Sequence, residues 1–361
     1  MKQITWNVLS IVAILILSGC STSELEDNVK DPLTALGVNS ARLETKSMYT
    51  GLGNTENDYT LNKVGVVVLR KDKSAYYDAS VTKLVFKANS SDGTGAWVLD
   101  GSTPLYLLDA EGTVFGFAPS TETPGFLANK VPTLTVTQKA AMQFAFTSND
   151  KSASDWDVDQ TDYLYSSTQS EVKKSNTQAT LTMQHAMSKI SFRVMKADGL
   201  PAPGDRDFVK KVELTYEQNG SDKTGFTGGT ANTLDLSSGD ITAVDNDRTV
   251  NLSMTPQNIV NARKVVAHAG NYDAVTPQAF GLVAPFPSDA KAKFNVKVTI
   301  GTNSSETTYD RVFTTKAATA LNWEKGNHYI YTIEIADKTL SITSVTLAGW
   351  TDQAAVELPV E

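Results

Sequence analysis

Disulfide chemistry is closed to this chain: its 361 residues contain one cysteine, and a single thiol forms neither an intrachain bridge nor a thiolate metal cluster. Three histidines spread along the sequence leave little for a histidine-rich metal site. Positive charge is short as well. Thirty-two lysines and arginines face 40 acidic residues, for a net charge of -8, so the chain has no general attraction for phosphate backbones and nucleic acid is not expected as a partner. No apolar run reaches the ~20 residues that a membrane-spanning helix needs. Helical apolar stripes are missing beyond the N-terminal run, the best candidates being the short segments 138–144 and 258–265. No repeat of fixed period stands out, which argues against a propeller or solenoid. What is present, 40% hydrophobic and 20% charged residues, suffices to bury cores. The length exceeds what one core usually organises, so two domains are expected.

The N-terminus reads as an export signal. Lys2 precedes a mostly apolar run of twelve residues from Trp6 to Leu17, the length of a signal h-region and too short for an anchor. It ends in Leu17-Ser18-Gly19-Cys20, which resembles the lipobox of bacterial lipoproteins: small residues admit the peptidase, and the cysteine sulfur accepts the lipid. Residues 1–19 are therefore expected to be removed and Cys20 lipidated, which accounts for the only cysteine. Acyl chains at ~0.8 kcal/mol per buried methylene would hold the protein on a bilayer without a span. The following Ser21-Thr22-Ser23-Glu24-Leu25-Glu26-Asp27 resembles signals for outer-surface display, and reads equally well as an acidic tether.

From Leu61 onward, short β-rich runs alternate with turn-forming clusters, the pattern of sandwiches or barrels. Lys63 to Arg70, Thr82 to Phe86, Gly95 to Leu99, Leu105 to Leu108 and Thr113 to Ala118 read as successive strands. Further on, apolar residues alternate at Ile190, Phe192 and Val194, at Val212, Leu214 and Tyr216, from Phe294 to Ile300, and from Tyr329 to Ile335. Period two places each set on one buried face. The fold class is all-β. A polar stretch, 149–176, reads as a long loop between two β-rich halves, with the boundary near Met183.

Chemically suggestive motifs are each better explained by structure. Asp155, Asp157 and Asp159 alternate as in a calcium loop, but Gln160 and Ser166 stand where the turn glycine and bidentate glutamate belong. Gly51-Leu52-Gly53 and the glycines of 225–229 lack phosphate-loop spacing and a following helix. His185, His268 and His328 accompany no nucleophile-elbow sequence, so structural roles are favoured over catalysis. Trp323 and Trp350 adjoin apolar strands and read as packing rather than sugar platforms. Neither cofactor nor metal nor enzymatic activity is expected.

One constellation is familiar. Asp162-Tyr163-Leu164-Tyr165 is followed by Ala179-Thr180-Leu181, then His185-Ala186-Met187-Ser188-Lys189-Ile190-Ser191-Phe192, then Trp323 to Tyr331, and finally Val345 to Trp350. With the lipobox, this order resembles the fimbrillin-like family, whose members build type V pili. The resemblance implies a lipid-anchored precursor of two transthyretin-like β-sandwich domains, here 47–183 and 184–361. It further implies trimming by a trypsin-like protease, which removes 20–46, and polymerisation by strand exchange with other pilin subunits, first at the cell outer membrane and then in the fimbrium.

Strand exchange sets physical requirements. Loss of a terminal strand exposes an apolar groove and unpaired backbone edges that a strand of another chain can fill. The donor must alternate, and Ala354, Val356, Leu358 and Val360 do so within a candidate donor region at 339–361. Four such side chains contribute roughly 6 to 12 kcal/mol before ordering costs. Pro359 must sit where no ladder bond is needed. Arg42 and Lys46 are the cleavage candidates, Lys46 favoured by resemblance; both also read as ordinary solvated charges. Stalk, tip and anchor roles stay open at this level, an anchor needing no cut. The alternative function is a monomeric surface lipoprotein that binds glycans or host ligands.

Overall fold

A computed structural model describes residues 34–43, 61–76, 83–90, 95–137, 143–144, 161–205, 207–218, 221–223, 231–243, 264–271, 275, 277, 279–289, 292–301, 312–314, 321–336, 340–349 and 356–358. Among these residues there is no helix. The first ten strands are β1 (Gly37–Leu43), β2 (Lys63–Arg70), β3 (Leu84–Ala88), β4 (Trp97–Leu99), β5 (Gly112–Ala118), β6 (Thr133–Thr137), β7 (Gln143–Phe144), β8 (Leu164–Ser166), β9 (Ser170–Val172) and β10 (Gln178–His185). They are followed by β11 (Ser188–Lys196), β12 (Phe208–Gln218), β13 (Ser221–Lys223), β14 (Ala231–Asp235), β15 (Ile241–Ala243), β16 (Ala279–Val283) and β17 (Phe286–Asp289). The last six are β18 (Ala292–Gly301), β19 (Val312–Thr314), β20 (Leu321–Trp323), β21 (Asn327–Ile335), β22 (Leu340–Gly349) and β23 (Val356–Leu358).

The largest sheet runs β1-β10-β8-β5-β2-β3-β4, with β9 on β5. Its two ends approach each other, because β1 also runs alongside β4 and Ala35 bridges Tyr106 beyond β4. The sheet thus curls around a core. Val64, Val66 and Val68 of β2 point into it with Val114, Leu181 and Met183. Odd-numbered residues of the same strand, Val67 and Leu69, enter a second core with Phe115, Phe117, Tyr163 and Tyr165. Alternating side chains of a strand leave on opposite faces, so a sheet with a core on either side is apolar throughout. That is why β2 reads as an unbroken valine-rich run.

A second sheet, β23-β22-β21-β11-β16-β7, lies on the other side of the Ala186-Met187 turn that follows β10. β11 and β21 pair in parallel, Ile190 opposite Tyr329 and Phe192 opposite Tyr331. The Phe192 and Tyr331 rings stack at 5.5 Å. The alternating set Ile190, Phe192 and Val194 is buried, as the sequence indicates. The reverse face, Lys189, Ser191 and Arg193, is buried too, at no more than 5% exposure.

Strands from before and after Met183 also share sheets. β6 pairs with β14 from Thr133↔Asp235 to Thr137↔Ala231, and β7 joins the second sheet through β16. The remaining sheets are β13-β12-β18-β19 and β17-β20.

Candidate functional site

The strand at the end of the curled sheet is the one that the expected strand exchange would involve. β1 runs parallel to β10, from Gly37↔Gln178 to Leu43↔Met183, with a register shift at Asn39. Its start is held on both sides: Leu36 donates its N–H to the Leu105 carbonyl at 2.8 Å, and on the β10 side Gly37 donates to the Thr177 carbonyl at 2.9 Å. Leu36, Val38 and Ala41 are buried in the core inside the curl, while Asn39 and Arg42 are exposed. Burial of the leucine and valine alone is worth about 3 to 6 kcal/mol. No covalent link other than the chain itself holds this strand in place, since the only cysteine is Cys20.

Arg42 is part of the ladder, opposite Thr182, whereas Lys46 and Cys20 lie outside the described residues. At the other terminus, Val356 and Leu358 form β23, which folds back antiparallel on β22 with Leu358 opposite Val345 and Val356 opposite Leu347. Ala354 and Val360 lie outside the described residues, as do Pro359, Trp350 and the 149–160 part of the polar stretch with its three candidate aspartates.

The histidines are built into structure. His185, 2% exposed, ends β10 and places Nδ1 2.8 Å from the carboxylate of the equally buried Asp162. His328 Nε2 lies 2.7 Å from Ser191 Oγ. Burial, followed by the charges of Lys189 and Arg193, holds the His328 pKa well below its ordinary value, so the ring is neutral at pH 7. Ser191 is fully buried, so its hydroxyl is closed off from solvent. His268 Nδ1 lies 3.0 Å from Glu334. Trp323 is 1% exposed and donates its indole N–H to Tyr331 at 2.9 Å, so it offers no face to a sugar. Among the described residues, no group of three or more His, Cys, Asp or Glu is placed to hold a metal ion. No described helix is long and apolar enough to cross a membrane.

His328 gives a pH prediction. A pKa lowered by folding means that the unfolded chain takes up a proton that the folded one refuses. The stability gained by burying the neutral ring is complete above its ordinary pKa of 6.5 and is lost as pH falls toward the lowered value, by at most about 1.4 kcal/mol per pH unit. Denaturant midpoints between about pH 7.5 and pH 5 should fall with pH. His328→Asn should flatten that slope; an unchanged slope would remove the assignment.

The motifs scattered along the sequence meet at one knot. Gly326 donates its N–H to Met187, and Ala186 donates to Tyr163, both at 2.8 Å. Ser188 Oγ donates to the Glu324 carbonyl at 2.8 Å. Lys325 lies over the Tyr165 ring and donates to Ser238 and Asp240 in the turn after β14. Tyr329 and Tyr331 are opposite Leu347 and Val345. The described motif residues around Tyr163, Tyr165, Met187, Lys325 and Tyr331 therefore share a scaffold. Sequence reasoning missed the 235–240 turn, whose Ser237-Ser238-Gly239-Asp240 signal names a turn without naming what packs on it.

The motifs of this all-β chain thus meet on one scaffold, and β1 completes a core at the end of a sheet. A fimbrillin-like family model matches residues 53–350, and the chain belongs to that family. A comparison with curated proteins found no match. Among solved structures, a cell-adhesion candidate from Bacteroides uniformis is 18% identical with a TM-score of 0.48, covering 89% of this chain and 100% of its own. A second cell-adhesion candidate, from Bacteroides ovatus, is 14% identical with a TM-score of 0.49, covering 92% and 100%. A fimbrial protein from Bacteroides vulgatus is 13% identical with a TM-score of 0.42, covering 88% and 99%.

Proposed function

We propose that this chain is a stalk or tip subunit of a cell-surface fimbrium that supports adhesion. It is exported as a lipoprotein anchored through Cys20, reaches the outer membrane surface, and is trimmed by a trypsin-like protease. It then polymerises when the C-terminal segment of another subunit takes the place of β1. Family membership supports the pilus or adhesin role. The observation that carries the assembly step is β1 itself, a strand that completes a buried core from the end of a sheet. Its loss leaves apolar side chains and the β10 edge without cover, the condition under which sheets recruit foreign strands.

Lys46 is the better cleavage candidate. A protease must draw its substrate into its own cleft, and Arg42 is engaged in the ladder opposite Thr182, whereas a cut after Lys46 releases all of β1.

Lipid-free chain, treated or untreated with trypsin and run unheated on a denaturing gel, tests the reading. A ladder that needs treatment and vanishes in Lys46→Gln is expected; monomer at every concentration would favour the glycan- or ligand-binding alternative. Truncation after Gln353 should leave the fold intact and block incorporation. Cys20→Ala should abolish palmitate labelling in cells.

A further inference from the structure

We propose that the turns of this chain are shut against its own trimming protease, and that the 70–74 hairpin is a latent second cleavage site held closed by Asp72. The inference rests on the trimming step above and concerns what confines it.

A trypsin-like enzyme takes the residues around its lysine or arginine as an extended strand, with the basic side chain free to enter its pocket. Among the described residues, the turns withhold these conditions. Lys130, Lys174 and Lys325 lie in four-residue turns, each closed by the N–H of the fourth residue on the carbonyl of the first. These bonds run from Lys130 to Leu127 at 3.0 Å, from Asn176 to Lys173 at 2.8 Å and from Asn327 to Glu324 at 3.2 Å. Asn129 and Gly326 are left-handed within their turns, at φ 62° and 73°. Lys325 Nζ is engaged by Ser238 and Asp240.

The 70–74 hairpin has the most to protect. Arg70, Lys71 and Lys73 crowd around one acid, and residues 70–73 are all exposed. Arg70 stays in the β2 ladder opposite Gly112. Lys71, Asp72 and Lys73 form a three-residue loop: Lys73 donates its N–H to the Arg70 carbonyl at 2.7 Å, Arg70 donates to Ser74 at 2.9 Å, and Leu69 bridges Ala75 beyond. Lys73 has φ 64°, in the place that glycine ordinarily fills in such a loop. A lysine is disfavoured there, so closure depends on a support from outside the backbone. That support is one carboxylate. Asp72 Oδ1 accepts from the Ser74 N–H at 2.9 Å and from the Ser74 hydroxyl at 2.6 Å. The two bonds hold the Asp72 pKa below its ordinary value, so the clamp is ionised at pH 7. Opening the loop turns Lys73 from left-handed to extended and offers the bonds after Lys71 and Lys73. A cut there would separate β2 from Tyr76, whose hydroxyl pins residues 108 and 110.

Limited trypsin digestion of the full chain, read by mass spectrometry, tests the proposal. Cleavage of a transiently opened loop follows its open population. Cutting after Lys71 or Lys73 should therefore run at least about tenfold faster in Asp72→Ala than in the wild type, because the Ser74 bonds are gone. Asp72→Asn keeps the oxygen acceptor and removes the charge, so it should stay close to the wild type; this separates the clamp from a direct effect of the acid on the protease. An unaccelerated Asp72→Ala, or an Asp72→Asn cut as fast as the alanine variant, would overturn the proposal. Equal acceleration after Lys130 and Lys174 would mean general unfolding and overturn it too. Cutting at 71–73 that depends on Asp72 in a chain never trimmed at Lys46 keeps this inference and loses the trimming reading. Trimming at Lys46 with cutting at 71–73 indifferent to residue 72 does the reverse.

Discussion

Gly239→Ala is expected to destabilise the protein by about 3 kcal/mol, from about 1–2 for left-handed backbone and about 1–3 for overpacking. Gly239 has φ +75°, and a Cβ there would overlap the Tyr165 ring. The turn cannot relax freely. Asp235 accepts from the Ser237 and Ser238 N–H groups at 2.7 and 3.0 Å, and Lys325 holds Ser238 and Asp240 from outside. Gly199 is the internal control: its φ is +78°, but nothing lies within 4 Å of a Cβ there, so Gly199→Ala should cost only about 1 kcal/mol. Denaturant titration of both variants separates conformation from contact. In a Tyr165→Leu background the excess at Gly239 should shrink by more than about 1 kcal/mol; equal losses at the two glycines would mean that the ring contact contributes nothing.

His185→Ala should cost about 3 to 5 kcal/mol, because it leaves the Asp162 carboxyl buried beside a cavity instead of an imidazole. The side chains of both partners are at most 1% exposed, so water cannot replace the lost ring without opening the junction between β8 and β10. Replacing both residues with apolar ones, Asp162→Leu with His185→Phe, should recover most of the loss, since a buried polar pair exchanged for packed hydrophobes of similar shape is often nearly neutral. If the double variant is no better than His185→Ala, packing and not the pair is the cause. Thermal and denaturant unfolding read both outcomes.

Much of the fold was legible. The all-β reading holds; Lys63 to Arg70 is β2, and Thr113 to Ala118 falls within β5. These strands announce themselves because β-branched and aromatic residues recur between turn residues, a local signal. Leu105 to Leu108, expected as a strand, is irregular, with Tyr106 alone bridging Ala35. The reason is the Tyr76 hydroxyl, which accepts the Leu108 N–H at 3.0 Å and donates to the Ala110 carbonyl at 2.9 Å, pinning that stretch from 32 residues away. Nor could alternation reveal that Lys189 and Arg193 are buried, because charged residues at every second position ordinarily mark a solvent face.

The candidate site was legible as chemistry but not as geometry. The alternation of Val356 and Leu358 is visible in the sequence, yet their return onto Leu347 and Val345 is not. Parallel pairing of β1 with β10 joins residues 37–43 to 178–183, and no local turn encodes such a partner. The knot around Tyr165, Met187 and Lys325 was visible only as an order of motifs.

The two cores are completed at different moments of synthesis. Among the described residues, the one inside the curl draws on none beyond Met183. The other draws Leu134 and Val136 from β6, then Ala186 and Met187, Leu234 and Leu236, and finally Leu282. As the chain emerges N-terminus first, the curled sheet can close while Val67, Leu69, Phe115 and Phe117 on its outer face still wait for partners as far along the chain as Leu282. A chain stalled shortly after Met183 would carry that apolar face uncovered, which makes this interval of synthesis the one in which a holdase has the most to shield.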